Sequence, residues 1–170
     1  AFSLEKLTWL NGEHIRRLDP QKFHELALKY YPEGVRHLDL EKISRLIQIR
    51  IERFTEIPTM VKFLYELPDY DPALFENPKS KSTLQSSREI LQEVIPLLEG
   101  MQEWTNESLF SALKEFATLH GYKIGTVMWP IRTALSGQFA SPGGATELAD
   151  LLGKDETLRR LKIGLAKLQP

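Results

Sequence analysis

Few side chains in this sequence have the type and spacing that covalent or metal chemistry needs. His24-Glu25 has the first half of a zinc-binding helix motif, but Leu28 stands where the second histidine belongs. Gly153-Lys154 resembles the end of a phosphate loop. The first glycine of such a loop would fall at Leu148, and Asp155 replaces the magnesium-binding Ser or Thr. His14, His37 and His120 are scattered along the chain. Glu89 and Glu93 share one helix face, which reads as exposed, so they are solubility residues. There is no Gly-x-Ser-x-Gly elbow. The sequence holds no cysteine, which removes thiolate nucleophiles, thiolate metal sites and disulfides together. No catalytic constellation and no metal set survives this reading, so a binding or scaffold role is the default.

Binding to nucleic acid would draw on arginines, lysines and aromatic rings. The net charge is -1 and the pI about 6.5, which does not announce a polyanionic partner. Two stretches are basic locally. Lys42, Arg45, Arg50 and Arg53 face only Glu41 and Glu52, and Lys154, Arg159, Arg160, Lys162 and Lys167 face only Asp155 and Glu156. Such clusters can neutralise phosphates, although a solvated helix face explains them as well. Arg50 would lie about 60° from the centre of the apolar stripe Leu40, Ile43, Ile47, Ile51 and Phe54 if one helix ran through them all. There a guanidinium can be held in a fixed direction and read a base edge. Geometry alone favours the plainer account, an arginine whose stem covers the core while its head stays wet. Trp9, Trp104 and Trp129 read as core residues.

The elements that must position these residues are helices. Apolar residues recur at steps of three and four through Leu40–Phe54 and again through Leu158, Leu161, Leu165 and Leu168. No alternating strand is apparent. Asp19-Pro20 forms a helix start, Asp39 another, and Thr105-Asn106-Glu107 a third that closes at Gly121. Further helices are expected from Gly125-Thr126 to Gly137, from Ser141-Pro142 to Gly153, and from Asp155-Glu156 onward. The result is an all-α fold of roughly eight or nine short helices in two small packed bundles. Pro68, Pro72 and Pro78 around Asp69-Tyr70-Asp71 mark a linker, and Lys79-Ser80-Lys81-Ser82 extends it as a solvated run. The expected subdomains are 1–76 and 77–170. Hydrophobic residues at 42% and charged residues at 26% suit such packed cores. No apolar run reaches membrane-spanning length, and Ala1 to Lys6 do not open a signal peptide. The missing initiator Met suggests a piece of a longer chain, and the missing cysteines fit a cytoplasmic location.

One cluster of residues is specific by order and spacing. It comprises Gly121-Tyr122-Lys123-Ile124-Gly125, Pro130-Ile131-Arg132-Thr133-Ala134-Leu135-Ser136-Gly137, Ser141-Pro142-Gly143, Leu152-Gly153-Lys154 and Leu158-Arg159-Arg160. It closely resembles the C-terminal anticodon-binding region of bacterial-type glutamyl-tRNA synthetases. Phe2, Lys6-Leu7-Thr8-Trp9-Leu10-Asn11-Gly12, His14-Ile15-Arg16 and Glu103-Trp104-Thr105 extend the resemblance to the whole chain.

The resemblance implies a class I parent enzyme that activates glutamate with ATP and magnesium and esterifies it to tRNA-Glu. The parent's two catalytic motifs are absent here, so the resemblance implies a non-catalytic fragment with no cofactor of its own. Its expected partners are the tRNA-Glu anticodon loop and the upstream catalytic domain, with no membrane and no DNA. Counting back from Pro58, Arg50 falls where the family has an arginine that reads the third anticodon base, a cytosine. The turn Ser141-Pro142-Gly143 matches the loop near the first anticodon bases, although Gly143-Gly144-Ala145 is one residue longer than in some members and smaller than the bulky residue they place there. Gly144 is counted with this RNA-binding turn, and Arg132 matches the family motif, in an RNA-binding or a structural role. Lys154, Arg159 and Arg160 are the expected phosphate contacts. A helical protein-interaction scaffold without RNA binding is the alternative reading.

Overall fold

The computed structural model describes residues 3–170, so Phe2 of the family signature lies outside the described residues. The described chain is all-α, and its elements are α1 (Leu4–Arg17), α2 (Pro20–Ala27), α3 (Leu40–Ile47), α4 (Ile57–Val61), α5 (Leu84–Glu99), α6 (Asn106–His120), α7 (Ile124–Ser136), α8 (Ala145–Leu152) and α9 (Lys154–Lys167), with short 3-10 turns in the connections between α2 and α5. The expected start signals act as caps. Asp19 accepts from the Gln21 and Lys22 amides, Asp39 from Lys42, and Thr105 from Ser108. Gly121 closes α6 in the left-handed region, at φ 72°. The expected start at Ser141-Pro142 is not the one formed. The Ser141 hydroxyl donates to the Gly143 carbonyl at 3.1 Å, and α8 begins after Gly144, whose N–H donates to Glu147 Oε1 at 2.9 Å.

The chain divides between Glu66 and Leu67, giving a second unit of Leu67–Pro170. The division thus falls before the proline-rich stretch and not after Glu76. That stretch is no solvated linker. It is a strap bound into the second unit. Phe75 is fully buried, the Trp129 indole N–H donates to Leu74 O at 3.0 Å, and Thr126 Oγ1 donates to Ser80 O at 2.7 Å. Lys167 reaches both the Asp69 carboxylate and the Tyr70 carbonyl.

In the first unit α2 packs against α3. Ile43, Ile47 and Ile51 are buried there beside Phe23, whose ring meets Phe54 edge-on at 5.5 Å. Buried Ser44 is satisfied by Tyr31 OH and His24 Nδ1. Burial in this contact pushes the Tyr31 hydroxyl up to about 12. Of α1 only Gly12 and Ile15 are buried. Trp9 therefore stands more than half exposed and is not the core residue expected of it.

In the second unit α7 is the central helix, touching α5, α6, α8 and α9. Gly164 of α9 is one reason they pack so closely. A Cβ there would lie 2.9 Å from Ala134 Cβ of α7.

Candidate nucleic-acid interface

The C-terminal end of α7 carries the richest arrangement of polar and aromatic groups. Its last turn ends at Gly137 with φ 64°, where a Cβ would come within 2.9 Å of Pro68. Only glycine fits that turn without strain. The Ser136 hydroxyl donates back to Arg132 O and accepts from the Gln138 amide, which ties the start of the following loop to the helix. Arg132 then bridges helix and loop. Its Nη2 donates to the Phe139 carbonyl at 2.7 Å, and its guanidinium lies 4.8 Å from the Trp129 ring centre. The Phe139 ring meets Trp129 edge-on at 5.2 Å. Trp129 is itself fixed by its bond to Leu74 O, so the guanidinium has a set direction.

These groups line a groove of about 650 Å³, which also takes in Phe110, Gly144 and the strap residue Lys79. That is the size range of a small-ligand or single-base site. Among the described residues no cluster of His, Asp and Glu has the make-up of a metal site.

The expected site residues separate into four groups. Arg132 and Gly144 line the groove together. Ser141, Pro142 and Gly143 form the loop beside it, with Pro142 and Gly143 buried. Arg50 lies in the first unit, and it is not on a helix edge. The helix α3 ends at Ile47, where the Arg50 amide turns to Ile47 O at 2.9 Å, and the Glu56 carboxylate takes the Glu52 and Arg53 amides further on, at 3.0 and 2.6 Å. Arg50 sits in the turn beyond, exposed, with Nη1 on Leu46 O at 2.7 Å. The fourth group, on α9, corrects two expected phosphate contacts. Arg160 is 1% exposed, donating to Glu156 Oε2 at 2.7 Å and to Leu135 O at 2.6 Å. Lys154 Nζ is engaged by the Glu99 and Met101 carbonyls at 2.8 and 2.6 Å. Arg159 remains exposed, in a two-pronged contact with Glu156.

The two arginines hold the Glu156 carboxyl down at about 2, the Arg159 hydrogen bond first among the causes. Burial pulls the Arg160 guanidinium down and Glu156 opposes it. The pair is ionised near neutral pH, because an arginine starts so high that this burial leaves it charged.

Phe139, Phe110 and Lys79 are among the groove residues that the sequence reading missed. A lone phenylalanine between small and polar neighbours, Gly137-Gln138-Phe139-Ala140-Ser141, is the local feature in the sequence, and by itself it does not mark a site.

The model of the anticodon binding domain family matches residues 22–165. The chain belongs to this family. Glutamate–tRNA ligases of Clostridium acetobutylicum and Clostridium botulinum are 44% and 46% identical to it over 99% of its length. The chain spans 35% of the length of each of them. The fold is also that of part of a glutamate tRNA ligase from Elizabethkingia meningosepticum, solved in complex with its amino acid. That likeness has a TM-score of 0.79 and 22% identity, covering 99% of this chain and 33% of the other. A glutamate-tRNA synthetase from Elizabethkingia anophelis follows at TM-score 0.73 and 21% identity, covering 97% and 32%. Among the described residues no helix is long and apolar enough to cross a membrane.

Proposed function

We propose that this anticodon-binding chain reads the anticodon loop of tRNA-Glu for a cytoplasmic glutamate–tRNA ligase. In that enzyme the remaining chain would supply the ATP- and magnesium-dependent ligation of glutamate, and this part would supply recognition without catalysis. The observation that carries the proposal is identity of 44–46% along essentially the whole chain to enzymes of that name. No observation of comparable weight favours the helical scaffold without RNA binding.

The geometry of the second unit suits the task. Reading unpaired bases needs fixed donors and ring faces, while affinity comes from phosphate contacts. Arg132 offers a guanidinium held by Phe139 O and Trp129, beside the Ser141–Gly144 loop. Arg50, whose guanidinium rests on Leu46 O, is the candidate reader in the first unit. A net charge of -1 fits a module that discriminates and leaves most phosphate contacts to other parts of the enzyme.

Titration of labelled tRNA-Glu against the chain tests this. Weak binding that tightens at low salt, with a preference over an anticodon-swapped tRNA, is the expected result. Arg132→Ala and Arg50→Ala should each reduce that preference, by about 1–3 kcal/mol for a lost paired contact to a base. Equal binding of both tRNAs would refute the proposal and favour the scaffold.

A further inference from the structure

Phe139 is 61% exposed, yet its surroundings are built. Its carbonyl is taken by Arg132 and its ring packs at a steep angle against Trp129, whose indole is tied to the strap. The ring is therefore held in place while the residue stays mostly exposed, and it costs little entropy to use. Phe110, 45% exposed, lines the same groove. Two exposed phenylalanines in one groove leave apolar surface in water that packing does not require.

The wall contributed by the strap is equally fixed. Asn77 and Ser82 exchange both backbone hydrogen bonds at 3.0 Å, and the Lys79 amide donates to Asn77 Oδ1 at 3.1 Å. Ser80 O is bound by Thr126 of α7. The Lys-Ser run, which reads in sequence as solvated linker, thus presents an exposed lysine at a set place on the groove. Cations from Lys79 and Arg132 outnumber the single acid, Glu147, in the lining, so the groove suits an anion carrying a flat ring.

On these grounds, and resting on the anticodon reading above, we infer that the groove takes one unpaired nucleotide of the RNA loop, its base stacked on Phe139 and its phosphate met by Lys79. Phe139 is then an RNA-stacking residue of the chain's own, and the strap is part of the RNA interface.

The test uses the 170-residue chain and an RNA hairpin carrying the anticodon loop of tRNA-Glu. Phe139→Ala should weaken binding about ten- to hundredfold, the range of one lost base–aromatic stack. Phe139→Trp should restore it, and Phe139→Leu, which keeps an apolar contact, should behave like the alanine variant. Hairpins with an abasic site at each loop position in turn identify the stacked base. At that position alone the Phe139→Ala penalty should vanish. Lys79→Ala should lower the slope of log affinity against log salt by about one. Wild-type binding with an unaltered Phe139→Ala variant, or a penalty equal at every abasic position, would overturn this inference while leaving the anticodon reading intact. Failure of the wild type to bind the hairpin would overturn both. Circular dichroism of the variants should match the wild type, and their melting should differ by no more than the loss of one exposed aromatic pair.

Discussion

Replacing Arg160 by alanine is the sharpest test of how the second unit is held together. The guanidinium is 1% exposed and makes hydrogen bonds of 2.7 Å to Glu156 and 2.6 Å to the Leu135 carbonyl. Breaking a fully buried pair costs about 3–5 kcal/mol, mostly from the stranded charge. Here the Glu156 side chain is 31% exposed and keeps Arg159, so its carboxylate is not stranded. What is lost is the bond to Leu135 O, the shared bond to Glu156 and the packing of the arginine stem. At about 1.5 kcal/mol each for charge-assisted bonds, the loss comes to about 3 kcal/mol. Urea unfolding followed by tryptophan fluorescence in a Trp9→Phe background reports the second unit, because Trp104 and Trp129 both belong to it. The midpoint should fall by about 1–3 M. Arg160→Met, which keeps the stem, should fall less. The slope of RNA affinity against salt should stay unchanged in both variants. A midpoint within error of the wild type would refute the bracing role. A reduced salt slope would return Arg160 to the phosphate contacts.

Other outcomes follow from the same unit. Glu156 is held at about 2 from an ordinary 4.5, so in the unfolded chain it binds a proton sooner as pH falls. Its contribution is complete above pH 4.5 and is lost between there and about 2; melting temperature in that window should fall less steeply for Glu156→Gln than for the wild type. Gly164→Ala should destabilise by about 1–2 kcal/mol in denaturant titration. The 2.9 Å approach to Ala134 outweighs a helix-propensity gain of up to about 1 kcal/mol. Gly125→Ala meets nothing within 4 Å and sits in the first turn of α7, so it should be neutral to slightly stabilising instead. Lys154→Ala should lower the denaturation midpoint by the equivalent of about 1–2 kcal/mol through the freed Glu99 and Met101 carbonyls, without changing RNA affinity.

Local signals in the sequence translated well. Asp19, Asp39, Thr105 and Gly121 cap the helices expected of them, because a cap depends on residues two to four positions away. Features set by distant partners did not. The apolar stripe runs on to Phe54, but α3 ends at Ile47 and Glu56 fixes the Glu52 and Arg53 amides of the chain beyond, so Arg50 lies off the helix. The prolines of the strap signal irregular backbone, and the backbone is irregular. That it is bound depends on Trp129 and Thr126, 55 and 46 residues away. The charge of Arg160 signals solvent, and only the carbonyl of Leu135, 25 residues away, explains its burial. The site was legible in the same measure. Arg132 and the Ser141–Gly144 loop stand out through the family signature, whereas Lys79 joins the groove only through the fold.

The strap also sets an order of events. Its residues leave the ribosome first, and the partners that fasten it come 46 to 98 residues later. Until α7 and α9 have been synthesised, Tyr70 and Phe75 have no core to enter, and loop-closure entropy opposes their docking. The α2–α3 contact of the first unit is complete long before this. Synthesis therefore passes through a stage in which a finished first unit trails an apolar, proline-rich tether. At that stage the nascent chain is most open to chaperones and proteases.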